Sequence, residues 1–138
     1  MYDIGEADGQ TYLSMEYIDG DTVFDRITVK RRIPEMEAIH ITRQAASALK
    51  HAHAKGFIHR DVKPKNLMIN KAGVVKLADL GLARAGDDSA AITEEKGKIF
   101  GTPYYISPEQ IRSEYVRPQT DIYALGVMLY ELLTGKLP

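Results

Sequence analysis

The chain contains no cysteine among its 138 residues. That removes a disulfide framework, a thiolate nucleophile and any cysteine-based zinc site, and it fits a reducing cytoplasm. Charge of one sign is also missing, since 18 Lys and Arg stand against 19 Asp and Glu. No global field is present to draw nucleic acid or an anionic membrane. The triplet Lys30-Arg31-Arg32 is a short cluster between elements and reads as a solvated face rather than a polyanion site. There is no secretory signal and no unbroken apolar run of about 18 residues that would cross a bilayer. The most apolar stretch, Ala124 to Leu133, includes Glu131 and reads as a buried helix. Repeats, low-complexity tracts and linkers are absent too, and the length suits one domain with a real core.

What is present has a mixed period. Residues Tyr2 to Ile4 and Thr11 to Tyr17 read as two strands about a turn at Asp8-Gly9. Asp21 is a candidate cap for a short helix from Thr22 towards Ile27. A longer helix is expected to start near Pro34 and stop at Gly56, with Ile39, Thr42, Ala46, Leu49 and His53 as its core stripe. Leu67 to Ile69 and Val74 to Leu77 read as short strands about Lys71-Ala72-Gly73. Such a hairpin brings Asn66 near Asp79. The stretch from Gly81 to Phe100 is polar and weakly periodic and reads as a loop. A last helix is predicted over Pro118 to Thr134, ended by Gly135 and apolar around most of its circumference. Together these elements make an α+β chain.

Three blocks carry chemistry. His59-Arg60-Asp61-Val62-Lys63-Pro64-Lys65-Asn66 has the form H-R-D-x-x-x-x-N, and Asp79-Leu80-Gly81 follows it. Gly101-Thr102-Pro103-Tyr104-Tyr105-Ile106-Ser107-Pro108-Glu109 has the form of an A-P-E segment with serine in place of alanine. Asp61 offers a carboxylate that can orient an incoming hydroxyl, and Lys63 a fixed positive charge two residues later. Asn66 and Asp79 offer the oxygen ligands that suffice for magnesium, which keeps waters and phosphates as its other ligands. Taken singly, each is an ordinary loop, turn or cap residue; three blocks in register are not. His51-Ala52-His53 carries no metal pair, because residues two apart on a helix point away from each other. Gly97-Lys98 lacks the spacing of a phosphate-binding loop.

In these blocks, and in Asp121-Ile122-Tyr123-Ala124-Leu125-Gly126, the chain resembles a eukaryotic-like serine/threonine protein kinase of the bacterial type over essentially all of residues 1–138. The resemblance implies a partial protein-kinase-like fold: residues 1–17 as the end of the smaller lobe, and 18–138 as the hinge and the helical lobe as far as the large buried helix. It implies ATP and Mg2+ as cofactors and protein Ser/Thr hydroxyls as substrates. Asp61, Lys63, Asn66 and Thr102 become the catalytic set, with Thr102 on the substrate side bonding to Asp61 and Lys63. Asn66 and Asp79 become the metal ligands. Met15 controls the back of the nucleotide pocket, Glu16 and Ile18 offer backbone groups to adenine, and Met68 forms an apolar floor, with Lys63 and Asp79 at the phosphates. Arg60 implies a switch read from a phosphate on the loop, at Thr93 in preference to Ser89. No hydroxyl residue lies between Thr93 and Gly101, so Glu94 or Glu95 is an alternative source of that negative charge. Asp121 is expected to brace the catalytic loop through backbone N–H groups.

Leu80 departs from the usual phenylalanine but keeps an apolar plug. The family's glycine-rich loop and strand lysine belong, by family order, before residue 1. The chain is accordingly expected to be a piece of a longer kinase, to be nearly inactive alone, and to be cytoplasmic, with any membrane anchor outside these residues. Two other readings stay open: a catalytically inactive kinase-like binding module, and a small-molecule phosphotransferase of related fold.

Overall fold

The computed structural model describes residues 3–7, 9–78, 84–85 and 103–138. The expected first hairpin forms as β1 (Asp3–Ala7) and β2 (Gln10–Ser14), antiparallel, with Ala7 opposite Gln10. β2 ends at Ser14 rather than Tyr17; Ser14 faces Asp3, the first of the described residues. The chain then runs as an irregular, mostly exposed linker to β3 (Gly20–Thr22).

Thr22, not Asp21, caps the first helix, α1 (Val23–Lys30). Its Oγ1 accepts from the Asp25 N–H at 3.1 Å, while Asp25 Oδ2 accepts from the Thr22 N–H at 3.0 Å. This is the reciprocal box that satisfies two orphan donors of a helix start. Asp21 lies one residue earlier in β3, opposite Ile69 of β5 (Leu67–Asn70), and Thr22 opposite Met68. Gly20 is required there, since a Cβ would lie 2.0 Å from the Ile69 carbonyl oxygen.

The long helix α2 (Glu35–Ala54) starts after Pro34 as expected. Its buried stripe is Ala38, Ile41, Ala45 and Leu49; Leu49 is as predicted, and the other three stand one residue before the expected Ile39, Thr42 and Ala46. The alanines on that face let α2 lie close to the last helix and the sheet, whereas Ile39 is 45% exposed. β4 (Phe57–Ile58) pairs with β7 (Arg84–Ala85), a pairing inside the stretch read as a loop. The rest of 79–102 lies outside the described residues.

β5 and β6 (Val75–Leu77) form the second hairpin, with Leu67 opposite Leu77, and β3 extends it to a three-stranded sheet. Along β5 the side chains of Leu67 and Ile69 enter the core while Met68 and Asn70 take the other face, the two-residue alternation of a strand. A 3-10 turn over Pro103–Tyr105 leads to the four-residue α3 (Pro108–Ile111). The last helix, α4, covers Pro118–Thr134 as predicted and ends on Gly135 in the left-handed region. Any Cβ at Gly135 would meet the Arg31 carbonyl oxygen at 2.0 Å. The core joins Leu49 of α2, Leu67 of β5 and Met128 and Leu132 of α4, each wholly buried. Burial of each such side chain contributes about 1.5–3 kcal/mol. Among the described residues no helix is long and apolar enough to cross a membrane.

Candidate active site

Between β4 and β5 the chain has almost no regular structure, yet residues 58–62 are nearly all buried. A buried loop must find partners for its peptide groups, since each one left unpaired costs as much as a lost hydrogen bond. Asp121, fully buried in the first turn of α4, supplies two of them. Its Oδ2 accepts from the His59 N–H at 2.9 Å and its Oδ1 from the Arg60 N–H at 2.8 Å. His53 Nε2 reaches the same Oδ2 at 2.7 Å, tying the end of α2 to the start of α4. The bracing role expected of Asp121 is thus seen in its contacts, and His53 is engaged with a carboxylate.

The His59 ring is wholly buried and bridges the loop to the second hairpin. Its Nε2 donates to the Ala78 carbonyl at 3.2 Å, and its Nδ1 accepts from the Asp61 N–H at 3.3 Å. Those two partners select the tautomer. Ala78 is fixed a second time through its N–H, which donates to the Asn66 carbonyl at 2.8 Å. The hairpin therefore brings residue 78 against residue 66, as its length requires; Asp79 itself lies outside the described residues.

Asp61, Lys63 and Asn66 converge. Lys63 Nζ donates to Asp61 Oδ2 at 2.5 Å. Asn66 Nδ2 donates to the same oxygen at 3.0 Å and to the Asp61 carbonyl at 2.8 Å. A short 3-10 turn over Pro64–Asn66 folds the chain back so that these contacts are possible, with Pro64 at its first position. Asp61 and Asn66 are nearly buried, and Lys63 is partly so. With Nδ2 committed to Asp61, Asn66 has its Oδ1 left as a hard oxygen donor; among the described residues nothing hydrogen-bonds to it. That donor type suits magnesium.

The linker residues are placed quite differently. Met15 is 53% exposed and Glu16 and Ile18 follow it without regular structure. Among the described residues the backbone N–H groups of residues 15–18 donate to nothing. The linker lies along the β5–β6 turn, held by an ion pair between Lys76 and Glu16 and another between Lys71 and Asp19 at 2.6 Å. Met68 sits on the non-core face of β5. Thr102 and Thr93, like Ser89, lie outside the described residues.

On the other side of the loop stands α3, capped by Ser107. Its side chain accepts from the Gln110 N–H at 3.4 Å, and Gln110 Oε1 returns to the Ser107 N–H at 3.0 Å. Serine in place of alanine before Pro108-Glu109 is therefore a helix cap. Glu109 accepts from Thr120 Oγ1 at 2.6 Å, joining α3 to α4. Burial pushes the Glu109 carboxyl upward, but hydrogen bonds from Thr120, its own backbone and Ser107, with the Arg112 charge, hold it below the usual range. Tyr105 donates to Glu131 at 2.5 Å; burial, then that carboxylate, push its hydroxyl far above the ordinary phenol value. Sequence reasoning missed His53 and Gln110. The spacing Ser107-x-x-Gln110 is itself a capping signature and was legible. His53 carries no such signal, because its partner is 68 residues away.

Comparison with known proteins agrees with this geometry. The family described as "Protein kinase domain" matches residues 1–138. The chain is 44% identical over 142 residues to the "Serine/threonine-protein kinase PknB" of Mycobacterium leprae, covering 100% of this chain and 23% of that protein. It is 42% identical over 138 residues to the "Serine/threonine-protein kinase PrkC" of Bacillus subtilis, covering 100% of this chain and 21% of that one. To the "Probable serine/threonine-protein kinase PknB" of Bifidobacterium longum it is 43% identical over 134 residues, or 97% and 19% of the two chains. The chain thus spans about a fifth of the length of these relatives. A family match from end to end, over a loop in which Asp61, Lys63 and Asn66 meet, places the chain in the protein kinase domain family.

Proposed function

We propose that residues 1–138 carry the catalytic loop of a serine/threonine protein kinase, which transfers the terminal phosphate of ATP to protein Ser and Thr hydroxyls. The observation that carries this reading is the joint hold of Lys63 and Asn66 on one oxygen, Oδ2, of Asp61. The Asp61 carboxylate, held in this way, would accept a hydrogen bond from a substrate hydroxyl and aim it in line with the phosphate. Lys63 sets a positive charge beside the transferred group. Asn66, with Asp79, would hold Mg2+, which when bound neutralises charge on the phosphates. Thr102 contributes from the substrate side. The undonated N–H groups on the linker support adenine recognition by Glu16 and Ile18, with Met15 behind and Met68 beneath. Residues 1–17 belong to the smaller lobe and 18–138 to the hinge and larger lobe. The reading carries with it a cytoplasmic site of action and protein, not nucleic acid, as phosphate acceptor.

In the longer protein, Asp61→Asn lowers turnover about 10²–10⁴-fold with the fold retained, and Asp79→Asn does the same while also weakening magnesium-dependent nucleotide binding. Near-parental turnover in either variant would remove these assignments. Arg60 is proposed to read a phosphate on Thr93. Phosphatase treatment then lowers activity and Thr93→Ala mimics it; an active sample with no phosphate between Ser89 and Thr102 by mass spectrometry would end that part of the proposal.

A further inference from the structure

Arg60 stands immediately before Asp61 and holds a left-handed backbone, with φ 68. A non-glycine residue keeps such a conformation only where its surroundings over-determine it. Both peptide polar groups of Arg60 are gripped by side chains from outside the loop. Its N–H donates to Asp121 Oδ1 at 2.8 Å, and its carbonyl accepts from Gln110 Nε2 at 3.2 Å. Asp121 comes from α4 and Gln110 from α3.

The second grip joins two parts of the molecule. Gln110 Oε1 accepts from Ser107 N at 3.0 Å and from Ser107 Oγ at 3.2 Å. One amide therefore closes the cap that follows the Pro103–Tyr105 turn and, through its other end, fixes the carbonyl of the residue before Asp61. Gln110 is only 8% exposed, so little water competes for either end.

We propose that Gln110 is a positioning residue that transmits the seating of the segment ending at Ser107 to the carboxylate of Asp61. Asp61 is aligned when that segment is seated and relaxes when it is not. This rests on the reading of Asp61 as the base. The two ends of the amide are separable by chemistry. Gln110→Glu keeps the acceptor that Ser107 uses and loses the donor to the Arg60 carbonyl. Gln110→Leu loses both.

The test uses the longer protein and sets Gln110→Glu and Gln110→Leu beside Asp61→Asn. It follows kcat, KM for ATP, the thermal midpoint, and hydrogen exchange at the Asp61 amide. Gln110→Glu is expected to lower kcat roughly tenfold, the scale of a small misplacement of a reacting group. KM for ATP stays within about twofold, because the linker and Met68 are untouched, and the Asp61 amide exchanges faster. Both variants lower the thermal midpoint, since each leaves the Arg60 carbonyl unpaired; Gln110→Leu loses as much kcat and lowers the midpoint further, since the cap goes with it. Parental kcat in Gln110→Glu while Asp61→Asn is dead would overturn the role of Gln110 and leave the base standing. A kcat loss in Gln110→Glu with unchanged exchange at Asp61 would reduce Gln110 to a structural residue and overturn it too. Turnover surviving in Asp61→Asn would instead defeat the base assignment beneath it.

Discussion

Two irregular segments flank the proposed nucleotide position, and they are held in opposite ways. Residues 59–66 are mostly buried and tied by side chains from α3 and α4 and by the Ala78 carbonyl. Residues 15–19 are mostly exposed and tied by two surface ion pairs, Lys76 to Glu16 and Lys71 to Asp19, with one backbone bond from the Lys71 N–H to the Asp19 carbonyl at 3.3 Å. Absence of regular structure thus says nothing about rigidity. A loop braced by a buried carboxylate is fixed by the cost of leaving peptide groups unpaired, which runs to about 1–3 kcal/mol each. A loop braced by exposed charges is fixed by pairs worth about 0–1 kcal/mol. The difference suits the two proposed jobs: a base must be aligned to a fraction of an ångström, whereas a segment proposed to receive a flat ring benefits from peptide groups still unspent.

The comparison breaks most sharply at Asp121. Asp121→Ala strands the His59 and Arg60 N–H groups and removes the partner of His53, so a loss of about 3–5 kcal/mol is expected, read by chemical denaturation. Turnover falls with it, because the Arg60 backbone loses its N–H anchor. A loss below about 1 kcal/mol, the scale of a surface pair, would mean that the loop is held by something other than this carboxylate.

At the other end of the scale stand the linker's ion pairs. Lys71 is 80% and Asp19 62% exposed at the side chain. Lys71→Ala or Lys76→Ala is expected to change stability by no more than about 1 kcal/mol, with the difference shrinking further in high salt as the charges are screened. Denaturant midpoints at low and high salt measure this. A salt-insensitive loss as large as that of Asp121→Ala would erase the contrast between the two segments.

The sequence made one of these segments readable and left the other nearly silent. Asp61, Lys63 and Asn66 were legible because their chemistry is local: a 3-10 turn over Pro64–Asn66 brings together residues five apart in the chain. α4 was legible to its last residue because Gly135 and a long apolar run both mark it. Asp121 stood out as an acid in the first turn of an apolar helix. What sequence did not show depends on distant partners. Leu49 of the α2 stripe was legible, but Ala38 and Ala45 were not, because they are chosen by how closely α4 and β6 approach. The Gln110 contact to Arg60 spans 50 residues, and no spacing rule reaches that far. The cap falls on Thr22 rather than Asp21 because the helix starts at Val23, which makes Thr22 the extended residue whose side chain meets the Asp25 N–H.

The central claim is that the irregular loop proposed as catalytic is the rigid segment and the linker the compliant one. Amide hydrogen exchange on the longer protein, without nucleotide, measures both in one experiment. The amides of His59 and Arg60 are predicted to exchange only through global unfolding, in line with the slowest amides of α4, while those of residues 16–18 exchange orders of magnitude faster through local motion. His59 and Arg60 exchanging as fast as Tyr17 would contradict the account.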